Sequence, residues 1–122
     1  GCLYCQAHTI LGAERFGCTK KRLEEVWNYA NSSAFSSAEK AALDFAFAAA
    51  SVPNKVTEKE VSQLKNYWDE YDIVEIMGVI ALFGFLNRWN DSMGSALEDL
   101  PIEKGKEHLM ENTNWTPGKH RV

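Results

Sequence analysis

Apolar residues recur along most of this chain at the three- and four-residue spacing of an α-helix. No stretch shows the strict apolar–polar alternation that is typical of a half-buried strand. A first helix is predicted from about residue 2 to residue 16, and a second follows Thr19. Ser36 with Glu39 and Thr57 with Glu60 then have the spacing of capping boxes at two further helix starts. The pattern therefore predicts an all-α fold.

The segment DIVEIMGVIALFGFLNRWNDSMGSALED is the longest apolar part of the chain. Asp72 and Glu75 are expected to open it as a third capping box, and Pro101 ends it at the latest. Its strongly apolar run, residues 76–86, is about half the length of roughly 20 residues that a membrane span needs. We expect a buried core helix here, followed by a short helix over residues 103–111.

The length of 122 residues and the amino-acid composition favour one ordinary globular domain over residues 1–122, and we expect it to be a compact helical bundle. The formal net charge is −4 and the basic residues are scattered, so nucleic acid is not an expected partner, and no membrane segment is expected either. Three cysteines without a secretory signal indicate a reducing, cytoplasmic compartment. Because the chain lacks an initial Met and begins inside its own motif, we expect an N-terminally truncated sequence, short of the N-terminal helices of the complete domain.

The opening stretch CLYCQAH carries the candidate chemistry. On a helix, Cys2, Cys5 and His8 lie along one narrow face, and the two sulfurs come close enough to be bridged. Unpaired N–H groups at a helix start stabilise an anion, so a thiol pKa is expected to fall there. His8, one turn further on, can accept or relay the proton.

Three interpretations of this motif stay open on residue spacing alone. The first is a redox-active thiol pair, and the second is a pair of inert, buried thiols beside a core histidine. The third is a zinc site made by Cys2, Cys5 and His8, with a fourth ligand from Cys18, His108 or His120. Haem attachment is excluded, because Gln6 stands where that motif has its histidine.

The order CLYCQAHT, AALDFAFAAA, VTEKEVSQL and IVEIMGVIALFGFLNRWNDSM resembles the carboxymuconolactone decarboxylase-like superfamily, in its alkylhydroperoxidase D-like, peroxidase-related branch. The resemblance covers essentially the whole chain. It implies an all-α homo-oligomer (dimer, trimer or hexamer), which agrees with the excess of apolar residues over 73–89. It also implies a cofactor-free thiol peroxidase that needs no metal, flavin or haem.

The same resemblance assigns a role to each residue of the motif. Cys5 matches the peroxidatic cysteine that attacks a hydroperoxide, Cys2 the resolving cysteine, and His8 the histidine of the proton relay. An external thiol donor, lipoyl- or thioredoxin-like, would reduce the resulting disulfide. The family's activating glutamate precedes the first cysteine, where this sequence has only Gly1. The alternatives are a non-catalytic redox-sensing or structural oligomer of the same family and, third, a zinc-binding module.

Overall fold

The computed structural model describes residues 1–121, and within them it is all-α with no β-strand, as the sequence predicts. Seven α-helices and two short 3₁₀ segments follow one another within residues 1–121. The α-helices are α1 (Leu3–Arg15), α2 (Lys20–Glu25), α3 (Ser37–Ala50), α4 (Glu58–Lys65), α5 (Glu70–Met93), α6 (Asp99–His108) and α7 (Met110–Thr113). The 3₁₀ segments are Val26–Asn31 and Gly118–His120.

Two of the three predicted capping boxes are confirmed, at Ser36 with Glu39 and at Thr57 with Glu60. The third is wrong by one turn of helix. The backbone N–H of Asp72 donates to the side chain of Asp69, and that of Asp69 donates to the side chain of Asp72, so α5 begins at Glu70. The pair of Asp69 and Asp72 forms in place of the predicted pair of Asp72 and Glu75. Asp69 stands three residues before Asp72, so its carboxylate reaches the unpaired N–H group of Asp72 at the helix start.

Helix α6 begins at Asp99, before the predicted start at residue 103. Pro101 lies within the first turn of α6, where its missing N–H group costs no helical hydrogen bond. Proline therefore stands inside this helix start rather than marking the end of α5, which stops at Met93.

The described residues form two compact units, one of residues 1–34 with 86–121 and one of residues 35–85. Helix α5 contributes residues to both. The single domain predicted over 1–122 stays a prediction, and its last residue lies outside the described residues. In the first unit, α1 packs chiefly on α6. The buried side chains of its core are Ala7, Ile10, Leu23, Leu97, Leu109 and Trp115.

Trp115 fixes the C-terminal segment of the first unit against α1. Its ring is 2% exposed, and its Nε1 donates a hydrogen bond to the carbonyl of Leu3 at 3.3 Å. Gly118 has a φ of +51°, a conformation that favours glycine, and lies against the side chain of Leu3. The backbone N–H of Leu97 donates to the carbonyl of His120 at 2.8 Å. These contacts hold His120 in place near the start of α1.

The second unit is built on the packing of α3 against α4. The indole Nε1 of Trp68 donates to the carbonyl of Ala38 at 2.9 Å, and Leu64 is 1% exposed. The sequence predicts a central α3 because it is apolar nearly all round. Only Ala41 and Phe45 of this helix are buried, however, and most of its other apolar side chains are partly covered.

The prediction that α5 is a buried core helix is wrong for the described chain. None of its residues is buried, and several of its large apolar side chains are more than half exposed. These are Tyr71, Val74, Val79, Leu82, Phe85, Trp89 and Met93. An apolar composition predicts that a helix packs against other apolar residues, but it does not say whether those residues belong to the same chain or to another one. No helix within residues 1–121 combines the length and apolarity of a membrane span.

Candidate active site

The two cysteines of the opening motif meet at the start of α1. Cys2 is the N-cap residue, and its Sγ accepts a hydrogen bond from the backbone N–H of Cys5 at 3.2 Å. The two Sγ atoms lie 2.8 Å apart as free thiols, and both residues are buried. A disulfide has a sulfur separation of about 2.05 Å, so a further approach of less than about 1 Å would close one.

The environment of Cys5 keeps its thiol protonated. Burial, the hydrogen bond with Cys2 and the charge of a Cys2 thiolate together raise the pKa of Cys5 to about 12, against a smaller opposing effect of Asn90. The expectation that the helix start lowers the pKa of a thiol there is therefore wrong for Cys5. Its Sγ lies inside the first turn, where a neighbouring sulfur and low solvent access outweigh the helix dipole.

His8 lies on α1 but contacts neither sulfur by a hydrogen bond. Its Nε2 lies 3.0 Å from Oε2 of Glu98, a largely exposed carboxylate just before α6. Its ring packs on Tyr4, with ring centroids 4.4 Å apart. The sequence predicts His8 as the proton relay of the cysteine pair. That role stays a prediction, and the side-chain contacts that the structure gives His8 are with Glu98 and Tyr4.

Helix α5 brings two polar side chains to the cysteine pair. The Nδ2 of Asn90 lies 3.8 Å from Sγ of Cys5, and its Oδ1 accepts a hydrogen bond from the hydroxyl of Ser95. Asp91 follows, with its Oδ2 3.1 Å from Nζ of Lys119. The hydrogen bond from Lys119 lowers the pKa of Asp91, so this carboxyl group is ionised at neutral pH.

His120, at the other end of the sequence, completes this cluster. Its side chain is buried, and its Nδ1 lies 2.8 Å from the carbonyl oxygen of Ser95. Its Nε2 is also buried and makes no hydrogen bond, although Oδ1 of Asp91 lies 3.5 Å away. The Sγ of Cys2, a carboxylate oxygen of Asp91 and a ring nitrogen of His120 all lie within 4.8 Å of one another.

The zinc set predicted from the motif is not assembled, because His8 is directed to Glu98. Two other groups of three side chains cluster their ligand atoms within residues 1–121: Cys2, Asp91 and His120, and Glu14, Glu107 and His108. In each group a lysine ammonium already contacts the carboxylate, Lys119 at 3.1 Å and Lys104 at 3.0 Å. A divalent cation there would be repelled by that positive charge, so we assign no metal ligands.

Sequence reasoning singled out Cys2, Cys5 and His8, and it named His120 as a possible fourth zinc ligand, but it missed Tyr4, Asn90 and Asp91. Tyr4 carried a signal, since it stands between the two cysteines. Asn90 and Asp91 had only their place in the matched FLNRWND stretch. The third cysteine, Cys18, is partly buried against the core of the first unit and takes no part in the site.

Comparison with known proteins finds an enzyme of similar fold. Two solved structures of the debrominase Bmp8 match this chain with a TM-score of 0.83 and 34% sequence identity. One is the apo form, and the other is a cysteine-to-alanine variant in complex with 2,3,4-tribromopyrrole. The matches cover 88% of this chain but 57% of Bmp8, so the chain spans less than two thirds of that protein. No protein-family model and no curated protein sequence matches this chain.

Proposed function

We propose that this chain is a cofactor-free dithiol reductase in which Cys2 and Cys5 supply two electrons to a small electrophilic substrate. The observation that carries the proposal is the 2.8 Å separation of two free sulfurs in the first turn of α1. A thiolate that attacks an electrophilic atom there has a second thiol within reach, which displaces the leaving group and forms a disulfide. The similarity to an enzyme supports catalysis over a purely structural role.

Hydroperoxides are the substrate class implied by the resemblance to the carboxymuconolactone decarboxylase-like superfamily, whose membership we also propose. One sulfur attacks the peroxide, the O–O bond breaks, and an alcohol leaves with one proton. The other thiol then displaces water from the sulfenic acid. The balance is one hydroperoxide and two thiols converted to one alcohol, one water and one disulfide. An external thiol donor, lipoyl- or thioredoxin-like, would return the pair to the dithiol form.

Halogenated aromatic compounds are the second candidate substrate class, and the comparison with the debrominase Bmp8 favours them. Here the thiolate attacks bromine, the carbon–bromine bond breaks, and the carbon takes a proton. The second thiol then displaces bromide and forms the disulfide. One bromoarene and two thiols give one arene, one bromide, one proton and one disulfide. The same cysteine pair can therefore serve both reactions.

We expect the reduced Cys18→Ser protein, mixed anaerobically with substrate, to lose two thiols for each substrate molecule consumed. Cumene hydroperoxide and 2,3,4-tribromopyrrole are the two probes, and loss of about 2 Da by intact mass reports a disulfide. Dithiothreitol in excess should then support many turnovers. Turnover with only one probe assigns the substrate class. Reversible oxidation of the pair without turnover of either probe would overturn the proposal in favour of a redox sensor.

We propose that the chain assembles with further copies through the exposed apolar side chains of α5, among them Val74, Leu82 and Trp89. Light scattering at micromolar concentration is expected to give at least twice the single-chain mass of 13.8 kDa. Leu82→Glu should shift that mass towards the single chain, because it places a charge among apolar side chains. Lys40→Glu, which changes a charge on α3 instead, is the matched control. A single-chain mass for the parent protein would contradict this prediction.

A further inference from the structure

We propose that Cys2 is the attacking sulfur and that His120 accepts its proton, with Asp91 stabilising the histidine once it is charged. The inference rests on the proposed function for its chemistry, but its geometry stands independently. It differs from the role assignment that the sequence resemblance implies, in which Cys5 attacks and His8 relays the proton. Neither Asp91 nor His120 belongs to the opening motif.

The hydrogen bond at one nitrogen of His120 decides what the other nitrogen can do. A carbonyl oxygen only accepts hydrogen bonds, so the contact with Ser95 at 2.8 Å places the proton on Nδ1. In the neutral ring, Nε2 then carries a lone pair and acts as a base. This Nε2 is buried without a hydrogen-bond partner, and a ring nitrogen of His120 lies within 4.8 Å of Sγ of Cys2. A small side-chain shift or one bridging water spans that distance.

Asp91 supplies the negative charge that a protonated His120 requires. Its Oδ1 lies 3.5 Å from Nε2 of His120, while its Oδ2 is bound by Lys119. The Asp91 side chain is 44% exposed, so the cluster has one side open to solvent although Cys2 and His120 are buried. Three elements therefore contribute to the cluster: α1 supplies the nucleophile Cys2, the C-terminal segment supplies the base His120, and α5 supplies the carboxylate of Asp91 that stabilises the charged base.

Cys2 is better placed than Cys5 to carry the negative charge. Its Sγ accepts the backbone N–H of Cys5 at 3.2 Å and lies within 4.8 Å of a ring nitrogen of His120, whereas Sγ of Cys5 contacts the sulfur of Cys2 at 2.8 Å and the amide of Asn90 at 3.8 Å. The other titratable groups around the cluster are Tyr4, whose ring lies 5.8 Å from that of His120, Lys119, and the ammonium group of Gly1, whose charge acts to lower the pKa of Cys5. His8, whose ring contacts that of Tyr4, and its partner Glu98 are titratable groups next to Tyr4.

The proposed steps balance for either substrate. The proton of Cys2 moves to Nε2 of His120, and the thiolate forms a bond to oxygen or bromine as the O–O or carbon–bromine bond breaks. The departing alkoxide or carbanion takes the proton back from His120, directly or through water. Cys5 then forms the disulfide with Cys2, releasing water in one case and bromide with a proton in the other.

The test is the rate at which iodoacetamide alkylates Cys2, measured from pH 5 to pH 10 in the reduced Cys18→Ser protein with peptide mapping by mass spectrometry. His120→Asn preserves a side-chain amide for the Ser95 carbonyl but removes the base. We expect alkylation of Cys2 at pH 7 to fall roughly tenfold or more, and the midpoint of its pH profile to rise by about one unit or more. The parent and variant rates should converge near pH 10, where hydroxide removes the proton.

Two further variants make the result specific. Asp91→Asn should move the same midpoint in the same direction by a smaller amount, and it keeps the test available where His120→Asn fails to fold. His108→Asn removes another buried histidine paired with a carboxylate, far along α6 from the cysteines, and should leave the midpoint unchanged. Equal slowing at every pH would reveal a merely structural role and overturn the proposal, as would an unchanged profile. Since no substrate is present, the outcome is independent of turnover.

Discussion

Serine in place of Cys2 is expected to abolish substrate reduction, lowering the rate by roughly a thousandfold or more, because no attacking sulfur remains. Serine in place of Cys5 should instead permit one attack per chain and then stop. In that variant Cys2 can still form a sulfenic acid or sulfenyl bromide, but no second thiol lies 2.8 Å away to displace the leaving group. Both variants therefore lose steady-state turnover, but only the Cys5→Ser protein is expected to carry out the first attack on the substrate.

A single-turnover experiment separates the two variants. Each is reduced, freed of excess thiol and mixed with one equivalent of substrate in the presence of dimedone, which traps a sulfenic acid. The Cys5→Ser protein should consume close to one equivalent of hydroperoxide and carry dimedone on Cys2, whereas the Cys2→Ser protein should consume none. With 2,3,4-tribromopyrrole, release of debrominated product replaces the dimedone adduct as the measurement.

The reverse outcome has an equally definite meaning. Rapid single turnover in Cys2→Ser, with the adduct on Cys5, would restore the assignment that the sequence resemblance implies and remove the role proposed for His120. Cys18→Ser serves as the matched control, since it removes a thiol outside the site and should leave both the rate and the stoichiometry unchanged.

The local part of the fold was predictable because its determinants are close together in the sequence. Ser36 with Glu39 and Thr57 with Glu60 satisfy one another within four residues, so the starts of α3 and α4 follow from spacing alone. The start of α5 was misplaced because Asp72 suits two capping pairs, with Asp69 before it and with Glu75 after it. Only the folded chain shows that the earlier pair forms.

The candidate site was predictable only in part, because some of its residues are close together in the sequence and others are distant. Cys2 and Cys5 share one turn of helix, so their approach follows from helical geometry. Asp91 and His120 reach the same place from the end of α5 and from the C-terminal segment, and no local pattern records such long-range contacts. The pKa of Cys5 was misjudged because the helix start was considered without the burial and the neighbouring sulfur that outweigh it.

Alanine in place of Gly105 is expected to lower the free energy of unfolding by about 2 kcal/mol or more, the upper part of the range for an overpacked core. A Cβ at this position would lie 2.6 Å from two atoms of the Trp115 ring and 2.8 Å from a third. The ring cannot move away easily, because it is 2% exposed and its Nε1 is bound to the Leu3 carbonyl. The gain in helix propensity, about 1 kcal/mol, is too small to offset this clash.

Chemical denaturation followed by far-UV circular dichroism measures the loss, and Gly12→Ala is the matched control. Gly12 also lies within a helix of the first unit, but a Cβ there meets nothing within 4 Å. Its replacement should leave stability unchanged or raise it by up to about 1 kcal/mol. Gly105→Ala combined with Trp115→Phe should cost less than the sum of the two single changes, because the smaller ring relieves the clash.

Gly105→Ala also tests whether the packing of the core determines the reactivity of Cys2. Trp115 and Gly118 hold the segment that carries His120 against Leu3, one residue from Cys2. A displaced Trp115 ring should therefore shift His120 relative to the thiol. Under conditions where Gly105→Ala remains folded, alkylation of Cys2 at pH 7 should slow, whereas Gly12→Ala should match the parent protein. Full stability of Gly105→Ala would show that the Trp115 ring is free to move, and would break the proposed link between core packing and the position of His120.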